Sequence, residues 1–113
     1  MKIIRNKYIP FKGSKAINLF GILFVRGNAI ISEKTIRHET IHTKQMHEML
    51  YIFFYLWYAV EYVCRVLWYA WKVDKEKAKS AYRAISFERE AYANDTKTGY
   101  SSYRNFWGWI KYL

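Results

Sequence analysis

The sequence predicts an α+β domain in which a small N-terminal antiparallel sheet precedes a helical bundle. Two observations lead to this prediction. The strand-like sequence lies within residues 1–31, and residues 32–94 contain neither Gly nor Pro, as is typical of helices. A chain of 113 residues has room for one domain with one core. We therefore predict a single domain with a sheet over residues 1–31, helices over residues 32–94 and a C-terminal segment over residues 95–113.

The N-terminal region is predicted to form three strands, over residues 2–9, 16–26 and 29–31. Residues 10–15 contain Pro10 and Gly13 and are typical of a turn. Gly27 and Asn28 separate the second and third strands and predict a tight connection between them.

The helical region begins with a capping signal. Ser32 is the predicted N-cap of the first helix, and Glu33 is favourable in its first turn. A helix of some sixty residues is too long for so small a domain, so we predict breaks. The clearest falls at Val73, Asp74 and Lys75, where aromatic sequence gives way to charge, and a softer one falls near residues 55–58. A helix over residues 75–94 follows, and a short helix is predicted within residues 100–113, a segment apolar enough to lie over a cleft.

Charge and cysteine content limit the classes of partner. The chain has 19 Lys and Arg against nine Asp and Glu, a formal charge of +10, which favours anionic partners such as a membrane surface. No nucleic-acid recognition motif accompanies this charge, so nucleic acid is not the expected partner. Cys64 is the single cysteine, which excludes an internal disulfide, and its apolar neighbours predict a packing role.

The N-terminus gives an expectation about location. Charged residues and Pro10 interrupt any apolar run there, so no signal peptide is predicted. The expected location is the cytoplasm, with a peripheral position on the inner face of a membrane as the alternative. The sequence leaves the oligomeric state open.

The motif His38-Glu39-Thr40-Ile41-His42 has the H-E-x-x-H pattern of a catalytic zinc site. Histidines four residues apart share one face of a helix, so both imidazoles can reach one metal ion. Glu39 is adjacent and can accept a proton from a water molecule at that ion. An accidental motif, with both histidines on a solvated helix face, is the alternative. His47 lies off the metal-facing side and is predicted to be a surface histidine.

A catalytic zinc needs a third protein ligand, and Glu88 is the predicted one. It lies in line with an apolar stripe at helical spacing that comprises Ala78, Ala81, Tyr82, Ile85 and Tyr92. An acid in such a stripe is costly unless it is paired or binds a metal. Glu90 is the alternative ligand, although it is predicted to turn towards Phe87 and Arg83 on the more solvated side.

These residues resemble those of the gluzincin metallopeptidases, most of all the short single-domain members called minigluzincins. In that group an H-E-x-x-H helix is followed by a helix whose Glu is the third zinc ligand. Glu88 matches that ligand, and Ala91 matches the small residue three positions later. The resemblance implies a zincin-like bundle with Zn²⁺ held by His38, His42 and Glu88. It also implies a peptide or protein substrate, hydrolysed by water that Glu39 activates, and an upstream strand, over residues 21–26 or 29–31, that binds the substrate backbone.

The sequence departs from the family pattern at Tyr92, where the family has an Asp that hydrogen-bonds a zinc-bound histidine. A Tyr hydroxyl, a backbone carbonyl or water is expected to orient the imidazole instead. The group that stabilises the oxyanion is not identified by sequence. The candidates are Tyr82, Tyr92, Tyr103, Arg104 and His47.

The segment over residues 49–71 is strongly aromatic, and only Glu61 and Arg65 are charged. Three interpretations are open: a core helix, a helix at a membrane interface, and a membrane-spanning hairpin. The segment also supports an alternative function. In that alternative the chain is a noncatalytic interaction module, with or without zinc, that binds a membrane surface or a protein through its basic and aromatic face.

Overall fold

The structure is a computed structural model that describes residues 1–10, 13–72 and 74–113. It has the predicted α+β fold, with a three-stranded N-terminal sheet followed by helices. The elements are β1 (Lys2–Asn6), β2 (Ala16–Leu19), β3 (Ile22–Arg26), α1 (Glu33–Glu48), α2 (Ile52–Trp71), α3 (Lys77–Ala84), α4 (Ser86–Asn94), α5 (Tyr100–Tyr103) and a 3₁₀ turn at Ile110–Tyr112. The strand order is β1-β3-β2. β2 pairs antiparallel with β3, whereas β1 pairs parallel with it, so the expectation of a wholly antiparallel sheet is wrong for β1.

The predicted long strand over residues 16–26 is instead a hairpin of β2 and β3 with a two-residue turn. Leu19 pairs with Ile22, and the turn residues Phe20 and Gly21 both have positive φ, 53° and 88°. Such a turn suits the twist of a hairpin, but Phe is an unusual residue for it. Phe20 is held there because its N–H donates to the Tyr55 hydroxyl at 3.0 Å and its ring packs edge-on against Tyr55. Contacts with α2 thus compensate for a turn that the sequence does not signal.

The predicted strand over residues 29–31 does not form. The Arg5 guanidinium donates to the backbone carbonyls of Gly27 and Ala29, and the chain then leaves the sheet. Gly27 and Asn28 therefore lead into α1 and not into another strand. α1 begins as predicted, because the Ser32 hydroxyl accepts the Thr35 N–H at 3.2 Å and Glu33 lies in the first turn.

The helical region breaks at three places. The softer predicted break, near residues 55–58, is wrong, because the chain turns earlier, at Leu50 and Tyr51, both with positive φ. The predicted break at Asp74 and Lys75 is confirmed; Val73 lies outside the described residues. The third break divides the predicted helix over residues 75–94 at Ile85, which has an extended conformation with ψ 134°.

Glu61 from α2 explains how α4 can begin immediately after this break. No side chain of the preceding residue caps α4. Instead the Glu61 carboxylate accepts the Ser86 N–H and the Ser86 hydroxyl, both at 2.6 Å. A carboxylate is favourable at a helix N-terminus because it satisfies a free N–H and interacts with the helix dipole. Glu61, one of the two charged residues of the aromatic segment, is thus a buried cap that joins α2 to α4.

The C-terminal segment belongs to the core. Trp109 is 3 % exposed and packs with Met46, Phe54, Ile85 and Phe87. The hypothesis that residues 100–113 lie over a cleft is therefore wrong for the cleft that Glu39, His42 and Glu88 line, because the described residues around that cleft come from residues 10–88. Truncation of a buried aromatic side chain of this kind to Ala usually lowers the unfolding free energy by about 3–5 kcal/mol.

A buried arginine fastens the same segment to the helices. The Arg104 guanidinium, 3 % exposed, donates to Glu48 at 2.6 Å and to Glu90 at 2.7 Å. Tyr100 and Gln45 also donate to the Glu90 carboxylate. Burial raises the pKa of Glu90, but these hydrogen bonds outweigh burial and lower it below the ordinary value. The prediction that Glu90 lies on a solvated side is wrong, because residues 100–112 cover it.

α2 has two unlike faces. Its inner face carries Phe54 and Glu61, both buried. Its opposite side, which we call the outer face of α2, consists of large apolar side chains between 42 and 83 % exposed: Ile52, Phe53, Leu56, Trp57, Val60, Val63, Leu67, Trp68 and Trp71. Cys64 is exposed there too, so its predicted packing role is wrong. The core-helix interpretation thus holds for one face only.

Among the described residues, no single helix has the length and apolarity needed to cross a membrane. Taken together, α1 and α2 have the length and apolar composition of a membrane span, but the two helices are bent by 110° relative to each other.

We expect the Arg104→Met variant to lose about 3–5 kcal/mol of unfolding free energy, because it leaves Glu48 and Glu90 buried without a cation. Urea unfolding followed by circular dichroism measures the loss. Lys44→Met, at an exposed position of the adjacent helix, is the control and should change stability by less than about 0.5 kcal/mol. Equal stabilities of the two variants would contradict the structural role of Arg104.

Candidate metal centre

The predicted ligands His38, His42 and Glu88 meet at one point between α1 and α4. The two Nε2 atoms lie 3.2 Å apart, and each lies 3.1 Å from Glu88 Oε1. All three residues are buried. Neighbouring ligands of a tetrahedral zinc with bonds of about 2.0–2.1 Å are separated by about 3.3 Å, so the three atoms are spaced nearly as a zinc site requires.

Gln45 determines the tautomer of His42. The Gln45 amide group donates to the Phe87 carbonyl at 3.0 Å and to Glu90 at 2.9 Å, which uses both of its hydrogens. Its oxygen therefore faces His42 Nδ1, at 2.8 Å, and can only accept. His42 therefore donates from Nδ1, and when the ring is neutral its Nε2 lone pair is directed at the cluster.

Asp95 has the same effect on His38. Its Oδ2 lies 3.1 Å from His38 Nδ1, and a carboxylate can only accept from that nitrogen. The Arg37 guanidinium donates to the Asp95 backbone carbonyl at 2.7 Å and helps to fix the end of α4. Asp95 thus accepts the hydrogen bond that orients the His38 imidazole, a role expected of a Tyr hydroxyl, a backbone carbonyl or water. Tyr92, in contrast, contacts the His38 ring with its own ring, at 4.4 Å between centroids.

The resulting electrostatics favour a cation in the cluster. Two imidazole lone pairs and a carboxylate oxygen within 3.2 Å repel one another unless a proton or a metal ion lies between them. Burial alone would lower the pKa of His42, but Glu88 outweighs it and raises that pKa to about 9. Burial likewise opposes the shift at Glu88, whose pKa is nevertheless held well below its usual range by His42, His38 and Tyr58. Two neutral imidazoles and one carboxylate are a donor set that suits zinc.

Tyr58 holds the second oxygen of Glu88. Its hydroxyl donates to Glu88 Oε2 at 2.7 Å, so Oε1 is left to face the histidines. Burial and the nearby Glu88 raise the pKa of the Tyr58 hydroxyl, which therefore stays protonated at neutral pH. The sequence offers no signal for this role, because Tyr58 is one of many aromatic residues on α2.

Two of the missed residues do have a signal in their spacing. Gln45 lies three residues after His42, the ligand it supports, and shares a helix face with it. Asp95 lies seven residues, about two turns, after Glu88 and is on the same side of the chain, where it supports His38 of α1. His47 is exposed, as its spacing predicts, and its ring meets that of Tyr51 edge to face. The cluster therefore joins all three predicted ligands, and Asp95 supports His38 from three residues after Tyr92, the position at which the family pattern has its Asp.

A cleft of about 430 Å³ opens beside the cluster. Its lining comes from β2 and from α1, α2, α3 and α4, and includes Glu39, His42 and Glu88. Glu39 is half-buried, and its backbone carbonyl accepts from the Asn18 side chain of β2 at 3.0 Å. That hydrogen bond fixes β2 next to the residue predicted to act as general base.

Among the described strands, β2 lies at the edge of the sheet and lines this cleft, whereas β3 does neither. β3 pairs on both sides, with β1 and β2, so the expectation that residues 21–26 bind substrate backbone is wrong, and residues 29–31 form no strand. The Arg26 N–H donates to the Lys15 carbonyl at 2.8 Å, so alternation directs the backbone groups of Ala16 and Asn18 away from β3. The Tyr55 hydroxyl already contacts the Asn18 carbonyl, at 3.4 Å. Ala16 is the position that an extended peptide can pair with.

The structure places the five candidates for oxyanion stabilisation in different environments. Arg104 is buried between two carboxylates, and Tyr103 and His47 are exposed outside the cleft, while Tyr92 packs on His38. Tyr82 lines the cleft together with Glu39 and Glu88. Burial and the adjacent Glu88 raise the pKa of its hydroxyl, which keeps it a hydrogen-bond donor at neutral pH.

We expect the purified chain to bind one zinc ion, and His42→Ala and Glu88→Ala to lose it, because each removes one of three converging donors. Metal content measured by mass spectrometry on protein prepared without chelators gives the stoichiometry. His47→Ala, which removes an exposed histidine from the same helix, should keep the zinc. Zinc retained by all three variants would place the metal elsewhere.

Removal of the Asp95 carboxylate should weaken zinc binding by about 10- to 100-fold, because His38 loses the acceptor that orients it. Competition with a chromophoric chelator measures the affinity of Asp95→Ala. Asp95→Asn, whose amide oxygen can still accept from His38, should lose less. An affinity unchanged in Asp95→Ala would show that His38 is oriented without this residue.

Comparison with known proteins does not identify the chain. No protein-family model, no curated protein and no solved structure matches it. The functional conclusion therefore rests on the chemistry of the cluster and of the cleft beside it.

Proposed function

We propose that the chain is a zinc-dependent metallopeptidase of the gluzincin type. One observation carries the proposal: His38, His42 and Glu88 converge at 3.1–3.2 Å beside a cleft whose lining includes His42, Glu88, Glu39 and residues of the edge strand β2. Ligands, general base and a strand edge for a peptide are the parts that this chemistry needs. The order of these parts along the chain also agrees with the resemblance of the H-E-x-x-H helix and the later Glu helix to that group.

The residues of the chain have distinct roles in the proposed reaction. When bound, zinc lowers the pKa of a coordinated water towards neutrality and polarises a peptide carbonyl. Glu39 takes a proton from the attacking water and transfers it to the leaving amine. Tyr82 donates a hydrogen bond to the oxygen that becomes negative as the carbonyl is attacked. Gln45, Asp95 and Tyr58 keep the ligands in place, and Ala16 of β2 aligns the substrate backbone.

The apolar lining of the cleft restricts the substrate. Met46, Phe54, Tyr55 and Leu19 lie around Glu39, so the space beside the scissile bond favours an apolar side chain over a charged one. A free strand edge favours an extended peptide over a folded segment. The proposed substrate is therefore an extended, locally apolar stretch of polypeptide.

Glu39→Gln should keep the zinc and lower peptide cleavage by about 10²- to 10⁴-fold, the usual contribution of a general base. Peptides from a denatured protein, analysed by mass spectrometry before and after incubation, provide the assay. Tyr82→Phe should lower kcat by about 10²- to 10³-fold in the same assay. The control variants are Glu76→Gln and Tyr103→Phe, both at exposed positions outside the cleft. Cleavage that persists in Glu39→Gln would refute the proposal.

A noncatalytic interaction module is the second candidate function. The exposed outer face of α2 favours it, because apolar side chains of this size are normally buried unless they contact a partner. In this function zinc would stabilise the fold without performing a reaction. Zinc binding with no cleavage of any peptide by wild-type protein would support it over the metallopeptidase.

A further inference from the structure

The outer face of α2 is the largest feature that the proposed activity leaves unused. It extends along a helix of 20 residues, about 30 Å, and the large side chains on it are apolar. The two charged residues of α2, Glu61 and Arg65, point away from it, since Glu61 is buried against Ser86 and Arg65 donates to Glu61. A helix that buries its one acid and keeps large apolar side chains on its exposed face is not adapted to water alone.

An apolar groove continues this face beyond the start of the helix. Its volume is about 640 Å³, and Met49, Leu50 and Trp107 complete a lining otherwise formed mainly by α2. Leu50 is 70 % exposed, and Trp107 and the adjacent Phe106 are exposed too. A groove without polar lining beyond Glu48 is suited to a hydrocarbon chain.

The distribution of charge indicates what covers the face. Five of the nine acidic side chains are buried, namely Glu48, Glu61, Glu88, Glu90 and Asp95. The described lysines and arginines, apart from Arg104, are exposed or half-exposed. The accessible surface is therefore more cationic than the formal charge of +10 conveys, and it attracts an anionic surface.

The C-terminal end of α2 places cations directly beside exposed aromatic residues. Lys72 lies with its ammonium 4.8 Å from the centre of the Trp68 ring, and Trp71 is 83 % exposed. Lys75 and Lys77 are exposed in the same turn, which also holds Asp74 and Glu76. Indole rings next to lysines are typical of the boundary between headgroups and acyl chains.

We propose that the outer face of α2 and the adjoining groove dock the protein on a bilayer rich in anionic phospholipid. A second copy of the chain fits the face less well, because two strongly cationic surfaces repel each other. A protein partner normally requires polar contacts around an apolar centre, and this face offers few. The docked helix lies in the membrane interface while its inner face, with Tyr55 and Tyr58, lines the cleft on the side away from the lipid.

The proposal does not depend on catalysis and is tested without it. The wild-type protein should sediment with phosphatidylcholine vesicles that contain about one third phosphatidylglycerol. With vesicles of phosphatidylcholine alone, the amount of protein in the pellet should be at least tenfold lower. Val60→Gln with Leu67→Gln, two changes on the outer face, should reduce binding by at least tenfold. Ile30→Gln, at an apolar position that is 86 % exposed outside α2, should bind as wild type does. Circular dichroism verifies that each variant is folded.

The native Cys64 makes the orientation measurable. A nitroxide on Cys64 should collide more with oxygen and less with a polar reagent once vesicles are added, because Cys64 lies beside the outer face. The matched control is Ile30→Cys in a Cys64→Ser background, whose label should remain accessible to the polar reagent. No binding to anionic vesicles at low salt, equal binding by the α2 variant, or a Cys64 label that stays water-accessible would each overturn the proposal. A dimer that the α2 substitutions dissociate would overturn it as well, in favour of a second copy.

Discussion

The α1–α4 interface is the contact on which the rest of the molecule depends, and it combines an apolar contact of Ile41 with Ala91 and several buried polar pairs. Along the two helices His38 meets Asp95, His42 meets Glu88, and Gln45 meets Glu90 and the Phe87 carbonyl. Each pair is buried, so a shift of one residue along either helix would leave donors or acceptors without partners at a cost of about 1–3 kcal/mol each. Apolar packing tolerates such shifts more easily. The polar pairs therefore fix the register of the two helices, and a metal ion bound at the central pair would reinforce it.

The sequence predicts those parts of this interface that follow from helix spacing, and it misses those that depend on residues distant along the chain. The spacing of His38 and His42 defines a common face, and the apolar stripe indicates that Glu88 is buried, so the three members of the cluster follow from periodicity. The position of Glu90 does not follow. The break at Ile85 separates α4 from α3, and residues 100–112 then cover the side of α4 that a continuous helix would have left in water. The β2–β3 turn at Phe20 and Gly21 is missed for the same kind of reason, because Tyr55, 35 residues away, stabilises it.

The buried acids also explain how a cationic chain of this size can have a defined fold. Glu61 caps α4, Glu48 and Glu90 share Arg104, Asp95 accepts from His38, and Glu88 faces two histidines. Each carboxylate accepts hydrogen bonds at a specific junction between elements. Replacement of such contacts by apolar side chains is often neutral for stability, so their value lies in specifying which elements meet. The corresponding cations are left on the surface, where they determine which partners the protein attracts.

α2 connects the proposed cleft with the proposed membrane surface. The Tyr58 hydroxyl of its inner face holds Glu88, and its Glu61 caps the helix that carries Glu88 two residues after Ser86. Both contacts constrain Glu88, the proposed third ligand, from the same helix, most of whose outer face is exposed. Because packed helices move as rigid elements, a surface that holds α2 also holds Tyr58 and Glu61 in place. The cleft then faces away from the lipid, beside the edge of β2, where an extended polypeptide near the membrane surface can reach Glu39.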